Sequence, residues 1–144
     1  MNRFVLLLVG LFVFSQLKSQ NNFQQEVVPG EWVKQWLLLG PVPLKEHEDI
    51  SKSGMHYPGF ETDYLVKAGG ETNPKIKAGD AVKLKTGTLR WKQVLAEESE
   101  IDLVKEVSKM APSLAYAYTE VECKQEGIWL ASFGTNDGGR LWIN

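Results

Sequence analysis

From Leu114 to Cys123 the side chains alternate, and this constrains the fold more than any other stretch. Ala115, Ala117, Thr119, Val121 and Cys123 fall on one face, and Tyr116, Tyr118, Glu120 and Glu122 fall on the other. A period of two belongs to a β-strand, whose successive side chains point to opposite sides of a sheet. Small residues on one face suit close approach of a second sheet, with the tyrosines covered by loops or half open.

The neighbouring sequence extends this reading. Lys124-Gln125-Glu126-Gly127 is a turn, Ile128–Phe133 an apolar strand, and Thr135–Gly139 a second turn. Asn136, Asp137 and two glycines there tolerate positive φ. The pattern predicts three consecutive antiparallel strands ending at Asn144. A half-finished ladder leaves backbone N–H and C=O groups unpaired, so the chain is expected to be the front of a longer protein. On that reading it should be marginal alone and prone to associate through the Arg140–Asn144 edge.

Upstream, Trp36–Leu39 is a short apolar run stopped by Gly40-Pro41, which fits a buried strand. Residues 45–60 read as a charged surface loop. Thr62 or Asp63 can cap a helical turn or two that Gly69 closes in the left-handed conformation. Asn73-Pro74 and Ala78-Gly79-Asp80 are turns. Leu89–Leu95 reads as a strand with Leu89 and Trp91 toward a core, Ile101–Leu103 alternates briefly, and Val104–Met110 can form a short helix. The sum is a mainly β domain.

The N-terminus reads as an export signal. Arg3 precedes the apolar run Phe4–Phe14, and Ser15 and Ser19 are candidate cleavage positions. The run falls short of the roughly 20 residues that span a bilayer. Leu17-Lys18-Ser19 is an imperfect cleavage site, which keeps an uncleaved anchor as the alternative. The expected organisation is a signal peptide over 1–19, a flexible lead-in over 20–30 and a partial β-sandwich over 31–144, exported to the periplasm or beyond the cell. Membrane contact is expected through the signal only.

Charge narrows the partners. The 16 basic residues less Arg3 and Lys18 leave 14 against 18 acidic, a net charge of −4. Nucleic-acid binding rests on clustered cations that neutralise phosphates, so this balance argues against it. The lysines between Lys75 and Lys92 are interrupted by Asp80 and apolar positions, and read as a solvated strand face rather than an anion site. Cys123 is the single cysteine, which rules out an intrachain disulfide; its alternating position favours burial over a catalytic role.

Candidate sites are few. Asn136 and Asp137 could present oxygens to calcium or a sugar, against the simpler reading of a turn selected for its backbone angles. Calcium takes about six to eight oxygen ligands, and no second acidic cluster adjoins them. His47 and His56, with Glu46, Glu48 and Asp49, offer zinc-type ligands at no established spacing. Glu97, Glu98 and Glu100 lie within one turn, whereas glycoside cleavage needs two carboxyl groups about 5–10 Å apart across a cleft. Neither a Gly-x-Ser-x-Gly elbow nor a phosphate loop nor a His-Glu-x-x-His motif is present, so no catalytic residue, metal or cofactor is assigned. Of Trp32, Trp36, Trp91, Trp129 and Trp142, at least three are expected in the core, with Trp32 left as a platform for a sugar ring.

Taken together, Trp36-Leu37-Leu38-Leu39-Gly40-Pro41, Tyr64–Glu71, Trp91, Ala115–Thr119 and Phe133–Asn144 resemble a known module. They are similar to the galactose-binding-like jelly-roll domains near the N-termini of exported glycoside hydrolases, esterases and peptidases. The resemblance covers most of residues 31–144 and is richest over the last thirty or so. It implies an antiparallel jelly-roll sandwich, incomplete at its C-terminus, that serves a downstream catalytic domain of the same chain by packing or by binding carbohydrate. An envelope adaptor that binds a protein partner is the alternative, and an enzyme complete in itself is disfavoured.

Overall fold

The computed structural model describes residues 24–44 and 59–143, and its regular structure is mainly strand, distributed over three small sheets. The seven strands are β1 (Gln24–Glu26), β2 (Gln35–Pro43), β3 (Ala81–Leu84), β4 (Gly87–Arg90), β5 (Lys92–Leu95), β6 (Ser113–Tyr118) and β7 (Glu120–Glu122). One short helix, α1 (Leu103–Glu106), and a 3-10 turn at Val66–Ala68 complete the elements. No described helix is long and apolar enough to cross a membrane. The export signal expected over 1–19 lies outside the described residues.

The centre is β2, flanked by antiparallel β5 and β6. Its apolar run is why it lies in the middle: Leu37, Leu38, Leu39 and Val42 are all buried, so both faces of the strand are covered. Leu37 and Leu39 join Leu65, Val82 and Trp91 in the core cluster. The β3–β4 hairpin contributes Val82, with Leu84 and Leu89 packed against the cluster. Each such side chain contributes roughly 1.5–3 kcal/mol on burial.

On the opposite face the short helix α1 is tied to the sheet through Lys92 and the Val107 side chain. Lys92, the ladder partner of Leu38, donates to Glu106 at 3.1 Å. Asp102 caps this helix, accepting from the amides of Val104 and Lys105 through Oδ1 at 2.9 and 3.1 Å. Gly40 is required here by close approach. A Cβ at that position would stand 2.7 Å from a methyl of Val107 and 3.1 Å from Ala115 Cβ. Gly69 answers a different need: it sits at φ 103° closing the 3-10 turn, as its sequence position predicts.

Several expectations are corrected. The Leu114–Cys123 stretch is not one strand but two, parting at Thr119, and β7 leaves the central sheet to pair in parallel with β1. Gln25 causes this. Its side-chain amide donates to Gln35 O at 2.9 Å and to Thr119 Oγ1 at 2.8 Å, and accepts from the Lys34 and Gln35 amides at 3.0 and 3.2 Å. One residue of the stretch read as a lead-in thus holds three segments together.

The faces of β6 are also reversed relative to expectation. Tyr118 and Tyr116 pair with Leu37 and Leu39 and pack on the core, while the alanines lie on the α1 side. Tyrosine buries far more apolar area than alanine, so the larger hydrophobic gain selects that side. Among the described residues, neither the strand expected at Ile128–Phe133 nor the described part (140–143) of the one expected at Arg140–Asn144 forms. Residues 124–143 run without ladder pairing and are exposed throughout, so the three-strand antiparallel succession is absent among the described residues.

Candidate functional site

Three features compete for a functional role: the cleft beside Trp32, the hydroxyl–carboxylate cluster at Tyr116, and the apolar ribbon over residues 127–143.

The cleft, of about 210 Å³, lies where β1 passes the start of β2. Trp32 stands at its wall, 54% exposed. Glu26, Glu31, Lys34, Val28 and Leu95 contribute the rest of the surface that a ligand would meet. Its shape comes from local chemistry. Pro29-Gly30 makes a turn in which Gly30 takes φ 82° and the Glu31 amide donates to Val28 O at 3.0 Å. The four hydrogen bonds of Gln25 hold the floor, and the Trp36 indole N–H donates to Val33 O at 2.9 Å beneath. Sequence reasoning singled out Trp32 but missed Gln25, whose bonds join residues far apart in the chain.

Behind the core, Tyr116 donates to Glu71 Oε1 at 2.6 Å and accepts from the Tyr64 amide at 3.4 Å. Asp63 accepts from the Leu65 amide at 2.7 Å through Oδ1 and from the Glu71 amide at 3.1 Å through Oδ2. These contacts strap the segment around 63–71 onto β6. Burial, reinforced by the Glu71 carboxylate, drives the Tyr116 hydroxyl well above the ordinary phenol range. Burial and the hydrogen bond to Glu120 push Tyr118 up to about 12. These bonds give the cluster a fastening role for the loop.

Both raised values make a pH prediction. The phenols ionise near 10.0 when unfolded and higher when folded, so the protonated forms favour the folded state. Their contribution is complete below about pH 10 and is lost as pH rises toward the folded values. Urea midpoints should therefore hold up to about pH 10 and then decline. The Tyr116→Phe/Tyr118→Phe double variant should decline less steeply, with the tyrosinate absorbance as the second readout. An equal decline in parent and variant would remove the two hydroxyls as the cause.

The ribbon is the third feature. Ile128 and Leu130 are fully exposed (105% and 99%), and Phe133, Leu141 and Ile143 are more than half exposed. Its Arg140 forms an ion pair with Glu61 and lies 5.0 Å over the Phe60 ring. Asn136 and Asp137 occupy the bend of this ribbon, both exposed, with the Asp137 amide 3.4 Å from Thr135 Oγ1. They do not line the Trp32 cleft, so the structure does not bring the three sequence-derived candidates together.

The remaining candidates separate cleanly. Glu97, Glu98 and Glu100 form an exposed corner. His47 and His56 lie outside the described residues, and among those described no cluster of three His, Cys, Asp or Glu could hold a metal. Cys123 is exposed, against the expected burial, because the chain leaves the central sheet at Thr119 and Cys123 follows the end of the exposed strand β7. Only Trp91 of the five tryptophans is fully buried, at 2%; Trp36 is half-buried, and Trp129 and Trp142 are each 38% exposed. The missing burial follows from the unformed C-terminal strands. No family model, curated protein or solved structure matches the chain.

Proposed function

We propose that the chain is a non-catalytic β-rich module of an exported multidomain hydrolase acting on carbohydrate, and that its ribbon packs against the catalytic domain. The observation that carries the packing role is the uncovered apolar surface of residues 127–143, where Ile128 and Leu130 are bare to solvent. A contiguous exposed apolar patch costs free energy until a partner covers it, and such patches mark interaction surfaces. The ribbon also carries the turn chemistry and alternating apolar residues of a hairpin, so it is suited to complete a sheet once a neighbour supplies the missing ladder. The jelly-roll topology belongs to this proposal too: it is the form the sheets would take when the ribbon pairs. The resemblance of Phe133–Asn144 and Trp36–Pro41 to modules of exported hydrolases supports the parent's class.

The test is hydrogen exchange on residues 127–143, in the chain alone and in the protein obtained by extending its reading frame. Protection of the Ile128–Phe133 amides only in the longer protein is the expected result. Equal exchange in both, or turnover of glycoside substrates by the purified chain alone, would overturn the reading.

A further inference from the structure

We infer that the outer edge of the β3–β4 hairpin is a docking strand for an extended acidic segment of a partner polypeptide. The residues that carry it lie between 67 and 92, outside the ribbon, so this site and the packing role can fail separately.

Charge is unevenly divided along the chain. Residues 67–92 hold seven basic side chains against two acidic ones, a net of +5, whereas the whole chain carries −2. Lys67, Lys75, Lys77, Lys83 and Lys85 are all exposed, and none of them forms an ion pair among the described residues. The two acidic side chains of the segment are engaged elsewhere: Asp80 accepts from the Lys77 amide at 2.9 Å, and Glu71 accepts from Tyr116. A surface of one sign attracts and orients a partner of the other.

The hairpin presents this charge beside an open ladder. Register places Ala81 opposite Arg90 and Lys83 opposite Thr88, all exposed, while Val82 and Leu89 turn inward. The Arg90 guanidinium donates to Gly79 O at 2.9 Å, which fixes it on the hairpin. Of the two strands, β4 runs beside β2, so β3 is the outer one, and no third strand among the described residues bonds to it.

That edge selects the class of partner. Its backbone N–H and C=O groups can be paired in a ladder only by another polypeptide; lipid headgroups and nucleic-acid phosphates cannot continue a sheet. Lysines on the edge oppose a neutral or basic strand, because the ammonium groups would lose water or face like charge. A strand with carboxylates at every second position meets the opposite situation. Its side chains on one face repeat at the spacing of Lys83 and Lys85, and each gains an unpaired cation as neighbour.

Fluorescence anisotropy of the purified chain with the labelled peptide Glu-Val-Glu-Thr-Glu-Val-Glu tests this assignment. Saturable binding that weakens as salt rises is expected, with the β3 amides gaining protection in hydrogen exchange. Changing the peptide's glutamates to glutamines, or methylating its alternate backbone nitrogens, should each weaken binding by about tenfold or more. Lys83→Glu with Lys85→Glu should do the same and should instead bind the peptide's lysine counterpart, which shows that the variant is folded. Lys105→Glu, on α1, should bind like the parent. Failure of the acidic peptide to bind, full binding after backbone methylation, preference for heparin or phosphatidylglycerol vesicles over the peptide, unchanged binding by the double variant, or an equal loss in Lys105→Glu would each overturn the assignment.

Discussion

Trp91→Ala is expected to cost about 3–5 kcal/mol, the range for emptying the space of a buried aromatic. Trp91 is 2% exposed, packs with Leu37, Leu39, Leu65 and Val82, and lies 6.4 Å from the Tyr116 ring in a tilted arrangement. Domains of this size have a total stability of about 5–15 kcal/mol, so the loss removes a large part of it. Urea unfolding followed by circular dichroism reads the change directly.

A second substitution separates packing from polarity at the same position. The Trp91 indole N–H is buried without a hydrogen-bond partner among the described residues. An unmet donor carries a desolvation penalty of about 1–3 kcal/mol, which Trp91→Phe removes while keeping part of the ring volume. Trp91→Phe should therefore lose less than half as much as Trp91→Ala. A loss below about 1 kcal/mol for Trp91→Ala would place the ring outside the core.

The ribbon is expected to give the opposite signature. Ile128→Lys with Leu130→Lys should change the unfolding free energy by no more than about 0.5 kcal/mol, because neither side chain has packing to lose. The effect should instead appear in association. Gly127–Asn136 contains no charged residue and no proline, and it is rich in β-branched and aromatic side chains. Such a segment, left uncovered, pairs with its own copies at micromolar to millimolar concentrations. Analytical ultracentrifugation should show concentration-dependent association of the parent and its suppression in the lysine variant, since like charges brought opposite one another oppose pairing. A parent that stays monomeric throughout, or a variant that associates equally, would mean that the ribbon is not the adhesive surface.

The two predictions divide the molecule between parts whose contacts are satisfied and a part whose contacts are not. That division tracks how legible each part is in the sequence. Trp36–Leu39 reads correctly as a strand whose leucines are buried, because such a run is stable only with both faces covered, but the strand continues through Gly40-Pro41 to Pro43 rather than stopping there. The turns at Ala78-Gly79 and the left-handed Gly69 are equally legible, since they depend on the backbone freedom of one or two residues. The burial of Trp91 follows from its alternation with Leu89 across Arg90, although Leu89–Leu95 forms two strands, β4 and β5, that part at Trp91 rather than the single strand expected.

The candidate site was only half visible. Trp32 could be nominated as an exposed ring, but a cleft requires walls from several elements, and Gln25 looks in sequence like one polar residue among many. Its role exists only because Thr119, distant in the chain, arrives beside it at 2.8 Å. Cys123 and the tyrosines of β6 show a related limit. Alternation establishes that two faces differ, yet it does not say which faces the core.

Local chemistry, then, determined what could be read residue by residue: the β character, the central leucine strand, the turns and the acidic balance of charge. Tertiary structure alone decided the parallel pairing of β1 with β7, the inward side of β6 and the exposure of residues 127–143. The physical reason is one of range. Propensity and periodicity act over a few residues, whereas pairing and burial are settled by competition among distant segments for the same hydrogen bonds and the same core.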